Sequence, residues 1–343
     1  MTHADELAPL LNSLFETDRF TNDDTYHGGL SNTRSNIAIH QGLKFLDPRA
    51  DGKGKYTGFR KDLQKRLMDD AANLDPILGE LRAFGALRAG GFDVDCVTRK
   101  KNAPSQDFEI CLHGGAPMRV EVFTKQWDGA MASEYHAFQN TPGPAKPGVH
   151  FREFEVMPLG KPTPGKPGDS VATNAVSRLA SIKPGNRQLP PGQPNILFID
   201  LMRPDPLPLV ESDHTLPLSS FNAHLTTGVV FAAVYGRKGL PLYESRPIEY
   251  GAGRVHRMAH DGRFAQDNGS LSAIVTQHQD GLVLLENPNA TAPLSAAVRN
   301  QWICCPGAKL EYFWAAFTGR EALAERIEQA FALHEYFWDL DAD

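Results

Sequence analysis

The chain has 343 residues, long enough for one large or two medium domains with a substantial core. Apolar residues make up 41% and charged residues 22%, the balance expected of a soluble globular protein, and the longest apolar run, GVVFAAVYG at 228–236, is far too short to cross a bilayer. A net charge of −6 argues against indiscriminate coating of nucleic acid, but it leaves room for a local basic patch.

Residues 4–16 set Leu7, Leu10, Leu11, Leu14 and Phe15 at the spacing of a short amphipathic helix. The polar stretch that follows, TNDDTYHGGLSNTRSN, lacks phosphate-loop spacing, and Gly28-Gly29 is an ordinary turn signal. Asp5 and Glu6 take the place of a basic-then-apolar leader. The four cysteines, Cys96, Cys111, Cys304 and Cys305, show no zinc spacing; with adjacent Cys304 and Cys305 read as buried thiols, a reducing cytoplasm is expected. KGKYTGFRKDLQKR at 53–66 sets six basic residues against Asp62, on a helix expected near 57–72. Such a run is either a solvated helix face or a phosphate-binding patch.

Residues 74–126 carry the chemistry. Asp75 suits a helix N-cap and Pro76 the first helical position, and Gly90-Gly91 ends the helix. Its stripe is Ile77, Leu81, Phe84 and Leu87, with Glu80 at the missing step, where a carboxylate is costly unless a cation or metal pairs with it. A strand at 92–98 follows, with Phe92, Val94 and Cys96 on one face. After the basic loop containing Arg99, Lys100 and Lys101, DFEICL and MRVEVF alternate around a turn at His113–Pro117. Phe108, Ile110, Leu112, Met118, Val120 and Val122 make one face; Asp107, Glu109, Arg119, Glu121, Phe123 and Lys125 make the other. Pairing Leu112 with Met118 would set Glu109 opposite Glu121 and Asp107 opposite Phe123, a like-charged arrangement that a hard divalent cation would neutralise.

A helix glutamate, then an aspartate, then a glutamate and lysine on a hairpin resembles the restriction-endonuclease-like, or PD-(D/E)XK, nuclease superfamily. The resemblance covers residues 74–126 and extends toward a helix and strand at 171–202. It implies a Mg²⁺ (or Mn²⁺) site at Glu80, Asp107 and Glu121, with Lys125 assisting the attacking water. Two departures stand out. The family lysine lies two residues after the second acid, where this chain has Phe123, and the proline that usually precedes the aspartate is replaced by Gln106.

Beyond the hairpin, residues 127–170 lose periodicity, and TPGPAKPG and PLGKPTPGKPGD have the composition of an exposed loop. Val171, Ala175, Leu179 and Ile182 mark a helix; PNILFIDLM at 194–202 is a strand buried on both faces, placed to join the hairpin's sheet. Arg187 or Gln188, between them, could complete the site, as a polar residue of this helix does in some superfamily members. Further on, 217–225 reads as helical, and 228–235 and 240–248 as strand-like. SLSAIVTQ and GLVLLENP read as two antiparallel strands joined through His278–Gly281, and Leu323, Ile327, Phe331, His334 and Trp338 stripe a helix over 319–338. His256 and His260 stand one helical turn apart without the intervening glutamate of a zinc protease; Ser133 and His136 have no elbow motif around them; Trp302, Tyr312, Phe313 and Trp314 read as core.

The expected fold is α/β: a mixed central sheet flanked by helices, a restriction-endonuclease-like core with additional N- and C-terminal elements. Residues 1–56 form the N-terminal segment, 57–215 the core with a Pro/Gly-rich insertion at 140–170, and 216–343 a C-terminal extension packed on it. The expected activity is metal-dependent hydrolysis of nucleic acid, DNA before RNA, bound through Lys53–Arg66 and Arg99–Lys101, with no membrane partner. The alternative is a catalytically inactive nuclease fold that binds nucleic acid or protein.

Overall fold

A computed structural model describes residues 7–18, 33–47, 54–69, 74–97, 106–124, 170–182, 189, 192–202, 212–244, 246–247, 254–309 and 319–339. The first described elements are helices: α1 (Leu7–Phe15), α2 (Thr33–Leu46), α3 (Thr57–Asp69) and α4 (Leu74–Ala89). α1 buries Leu7, Leu11 and Phe15 from its expected stripe and leaves Leu10 exposed. α2, which begins inside the polar stretch, was not expected; it buries Ala38, Ile39, Leu43 and Leu46 at helical spacing. It crosses α4 where Gly42 meets Gly85, and a methyl group on Gly85 would run into the Ala38 carbonyl. Contact this close between two backbones buries α4 on every side from Ile77 to Leu87, well beyond the stripe that periodicity marks. Gly91, at φ 87°, then turns the chain out of the helix, with Phe92 N–H donating to the Leu87 carbonyl at 3.0 Å.

β1 (Asp93–Cys96), β2 (Phe108–Cys111) and β3 (Met118–Thr124) form an antiparallel meander. α5 (Val171–Ala180), started by a capping box between Ser170 and Thr173, leads to β4 (Asn195–Asp200), which lies parallel to β3. Helix, three strands, helix and strand is therefore the order of the core. Next come β5 (Leu218–Phe221), β6 (His224–Thr227), α6 (Val229–Tyr235), β7 (Pro241–Glu244), β8 (Arg246–Pro247), β9 (Arg254–Arg257) and the short α7 (Arg263–Gln266). β10 (Ala273–Gln277) then pairs parallel to β4, and β11 (Leu282–Glu286) antiparallel to β10, as expected from the strand pattern. The sheet order is β1-β2-β3-β4-β10-β11, so strands from beyond residue 216 complete the sheet that the hairpin begins. α8 (Ala296–Trp302) and α9 (Gly319–Asp339) are the last described helices.

Two apolar layers sandwich this mixed sheet. Phe108, Ile110, Met118, Val120, Ile196, Phe198 and Val275 face α1 to α4 and Trp302. Leu197, Ile199, Ile274, Val283 and Leu285 face α5, α6 and α9. β4 is buried at every position because it feeds both layers.

Four local expectations are corrected. The segment 217–225, expected as helix, is the β5–β6 hairpin; Asn222 and Ala223 both adopt positive φ (48° and 59°), a two-residue turn that helix periodicity does not reveal. The apolar run at 228–235, expected as a strand, is α6, buried at all seven positions; a continuous apolar run fits a fully enclosed helix as well as a strand. Cys304 is exposed, and only Cys305 of that pair is buried. His256 lies on β9 and His260 in the exposed turn after it, so the helical spacing assumed for them does not apply. Among the described residues, no helix is long and apolar enough to cross a membrane.

Candidate acidic site at the end of the sheet

The β2–β3 register differs from the expected one by two residues. Ile110 pairs with Met118, Glu109 with Arg119 and Phe108 with Val120. His113 and Gly114 take positive φ (44° and 79°) and close a tight turn in which Gly115 N–H donates to the Leu112 carbonyl at 2.8 Å. Leu112 is thereby spent on the turn, and Pro117 has no N–H to offer a ladder. In this register Glu109 lies between Arg119 on β3 and Asp95 on β1, and one step further along it Asp107 would come level with Glu121.

Asp107 ties three strands together. Its carbonyl accepts from Val97 N–H at 3.0 Å, and its carboxylate Oδ2 accepts from Val122 N–H at 2.8 Å. It is only 6% exposed. Glu121 is half-buried; strand alternation turns it away from the face where Met118 and Val120 pack. Side chains directly opposite on an antiparallel pair have Cβ atoms about 5 Å apart, within reach of one small ion. Phe123, two residues beyond Glu121, is 39% exposed. Lys125 lies outside the described residues, as do Lys53, Arg99 to Lys101, Arg187, Gln188, Ser133 and His136.

Glu80 is held differently. α4 is enclosed, and the carboxylate is met by a cation: Arg66 of α3 forms two hydrogen bonds to it, Nη1 to Oε2 and Nη2 to Oε1, both 2.8 Å. Arg66 also lies 3.6 Å from Asp62, one turn back along α3. Glu80 still stands at the same end of the sheet as Asp107. The Cys96 thiol at the end of β1 is pushed up mainly by burial, and the Glu80 charge adds to that rise. Cys96 pairs with Phe108, the residue after Asp107. Asp107 is thus tied to the residue after Glu121, while Glu80 is held from the α4 layer by Arg66. Among the described residues, no group of three or more His, Cys, Asp or Glu side chains is gathered for a metal.

Two carboxylates on adjacent strands suit Mg²⁺ or Mn²⁺, because Mg²⁺ is commonly bound by one or two carboxylates, its own waters and substrate phosphate oxygens. The residues present fit such an ion. The basic patch is partly consumed: Lys55 pairs with Asp95 at 2.8 Å and Arg66 with Glu80, which leaves Lys61 and Lys65 exposed and Arg60 half-buried on α3.

Sequence reasoning missed a second pair on α4. Arg82 reaches Asp200 at the end of β4 through Nε–Oδ1 at 2.9 Å and Nη2–Oδ2 at 2.6 Å, with the arginine 4% and the aspartate 0% exposed. Gly79 allows it: a methyl there would collide with Thr124 Oγ1 and come within 3.0 Å of Asp200 Oδ2. The signal was present as Arg82 between the apolar neighbours Leu81 and Ala83 and as Asp200 at the end of NILFID.

No protein-family model, no curated protein and no solved structure matches the chain.

Proposed function

We propose that the chain hydrolyses phosphodiester bonds of nucleic acid, DNA before RNA, with Mg²⁺ or Mn²⁺ held by Asp107 and Glu121. What supports this reading is the β2–β3 register, which pairs Phe108 with Val120 and, continued by one residue, would set Asp107 level with Glu121 on neighbouring strands of a helix–three strands–helix–strand core. A bound ion would supply a hydroxide nucleophile at neutral pH and stabilise charge on the phosphate. Asp107, fixed by Val122 N–H, presents a pre-oriented carboxylate, and Glu121 adds the second from β3. Lys125 would stabilise charge or take the proton of the attacking water. Lys61 and Lys65 of α3 would hold the phosphate backbone.

Asp107→Asn keeps an oxygen to accept from Val122 N–H, and Glu121→Gln keeps its shape. Each variant is expected to lose Mg²⁺-dependent cleavage of a labelled oligonucleotide while retaining the wild-type far-UV spectrum. Wild-type cleavage rates in both would refute the reading.

Exposed Phe123, at the position of the superfamily's lysine, favours a second reading: a metal-independent nucleic-acid-binding module. A Mn²⁺ titration separates the two. Melting temperature rises with metal in the wild type and not in Glu121→Gln under the first reading. Under the second, metal has no effect, and binding through the two phosphate contacts of Lys61 and Lys65 weakens with salt with a log–log slope of about −2.

A further inference from the structure

We propose that the chain binds a single halide ion, chloride in ordinary buffers, in a small cavity between α7 and the sheet, held by the guanidinium of Arg263 and the hydroxyl of Thr276. This site goes beyond the nuclease reading and does not depend on it. Three arginines are buried among the described residues: Arg82, Arg263 and Arg299. Arg82 and Arg299 each grip a carboxylate through two nitrogens, at 2.5–3.0 Å. Arg263, 6% exposed, reaches Asp267 through one nitrogen only, Nη2 to Oδ1 at 3.3 Å. That is longer than the usual charge-assisted bond of about 2.7–2.9 Å. Asp267 is already occupied, accepting from Ser270 Oγ at 2.7 Å and from Leu271 N–H. Nε and Nη1 of Arg263 are buried and have no partner among the described residues. Unpaired N–H groups on a buried cation are costly, and they call for an acceptor.

Arg263 lines a cavity of about 10 Å³, whose apolar walls come from Leu179 of α5, Val230 and Val234 of α6, Ile199 of β4 and Ile274 of β10. That volume holds one water or one ion of similar size, and it excludes carboxylates and phosphates. Thr276, two residues after Ile274 on the same face of β10, is the other polar residue of the lining. Its Oγ1 lies 2.9 Å from His278 Nε2. With Nε2 donating, the threonine hydrogen turns into the cavity as a second donor.

The lining selects an ion over water. Arginine can only donate, and the threonine oxygen can serve a water molecule's hydrogens at most once. A water there would accept from Arg263 and keep at least one hydrogen without an acceptor among these side chains. A halide has no hydrogens and accepts from both groups. It also brings a negative charge to a guanidinium whose own carboxylate stands off at 3.3 Å.

The test is thermal melting of the full chain at constant ionic strength, with sodium chloride or bromide replacing sodium gluconate, whose anion is too large for the cavity. The wild-type melting temperature is expected to rise with the logarithm of chloride or bromide concentration, as for a ligand that binds only the folded state. Arg263→Met keeps much of the side chain's length without its donors, and is expected to melt at the same temperature in chloride and gluconate. Should that variant fail to fold, Thr276→Val decides. Loss of one donor to a charged ligand is expected to raise the chloride needed for the same rise about tenfold. Equal wild-type melting in chloride and gluconate overturns the proposal. An unchanged chloride response in Arg263→Met or in Thr276→Val overturns it as well, and none of these outcomes touches the nuclease reading.

Discussion

Helix α4 carries two charges two residues apart, Glu80 and Arg82, and the protein answers them in opposite directions. Both answers are bidentate arginine–carboxylate pairs of near-identical length. One joins α4 to α3 across 14 residues of sequence and opens to solvent on the arginine side; the other joins α4 to the end of β4 across 118 residues and is sealed. The difference shows that ion-pair geometry alone does not reveal a role. A sealed pair is committed to the fold, since neither partner can meet anything else. A pair whose arginine is partly open to solvent admits water on that side.

That contrast is broken most severely at Asp200. Asp200→Ala leaves the Arg82 guanidinium buried among apolar strands, and loss of one partner of a buried pair costs about 3–5 kcal/mol. A urea denaturation midpoint lowered by the corresponding amount is expected, and a loss below about 1 kcal/mol would mean that water reaches the guanidinium after all. Gly79→Ala tests the same clamp without removing a charge. Its methyl must push aside Thr124 and the Asp200 carboxylate, an overpacking that typically costs about 1–3 kcal/mol. A melting temperature equal to wild type would show that α4 can back away from the sheet.

The contrast between the pairs also marks what sequence could convey. Strand alternation found β1 to β3, where inward and outward side chains differ in kind, while short apolar runs bounded by prolines or turn residues found β4, β10 and β11, which are buried at every position. Period alone found α5 and α9 but overlooked α2, whose residues before Ala38 are mostly polar. The acids of the candidate site were visible as charges in apolar surroundings, yet their partners were not. Nothing local links Glu80 to Arg66 rather than to an ion, and nothing links Arg82 to a residue 118 positions away. The two-residue error in the β2–β3 register had a local cause: His113 accepting positive φ beside Gly114, which a residue-by-residue alternation count ignores.

At the exposed pair a smaller effect is expected. Arg66→Gln should cost about 1.5–3 kcal/mol, the range for a charged hydrogen-bond partner and less than Asp200→Ala, because Arg66 is more open to solvent than Arg82. The double variant Arg66→Gln/Glu80→Gln should recover most of that loss, a coupling read directly from a double-mutant cycle of urea midpoints. If the single variant proves as costly as Asp200→Ala, the two pairs are structurally equivalent and the distinction between them collapses.

The smallest effect concerns a buried ionisable group handled by neutrality instead of pairing. His334 of α9 is fully buried, stacked between Phe231 and Tyr243, with Nδ1 2.7 Å from the Ala330 carbonyl. Burial holds its pKa below the ordinary value of 6.5, outweighing the neighbouring Glu335; burial does the same to His214. The unfolded chain therefore takes up protons near pH 6.5 that the folded chain refuses until lower pH. Stability is unaffected well above that value, declines as pH falls from it toward the folded pKa, and levels off below. Each such histidine contributes a slope of at most about 1.36 kcal/mol per pH unit. His334→Phe removes one titration while keeping a ring between Phe231 and Tyr243, so the decline in urea midpoint between about pH 7 and pH 5 should become shallower by one histidine's share. An unchanged slope in that variant would mean that His334 is protonated as readily in the folded protein as in the unfolded one, and that this layer, unlike the Arg82–Asp200 clamp, admits water to its charges.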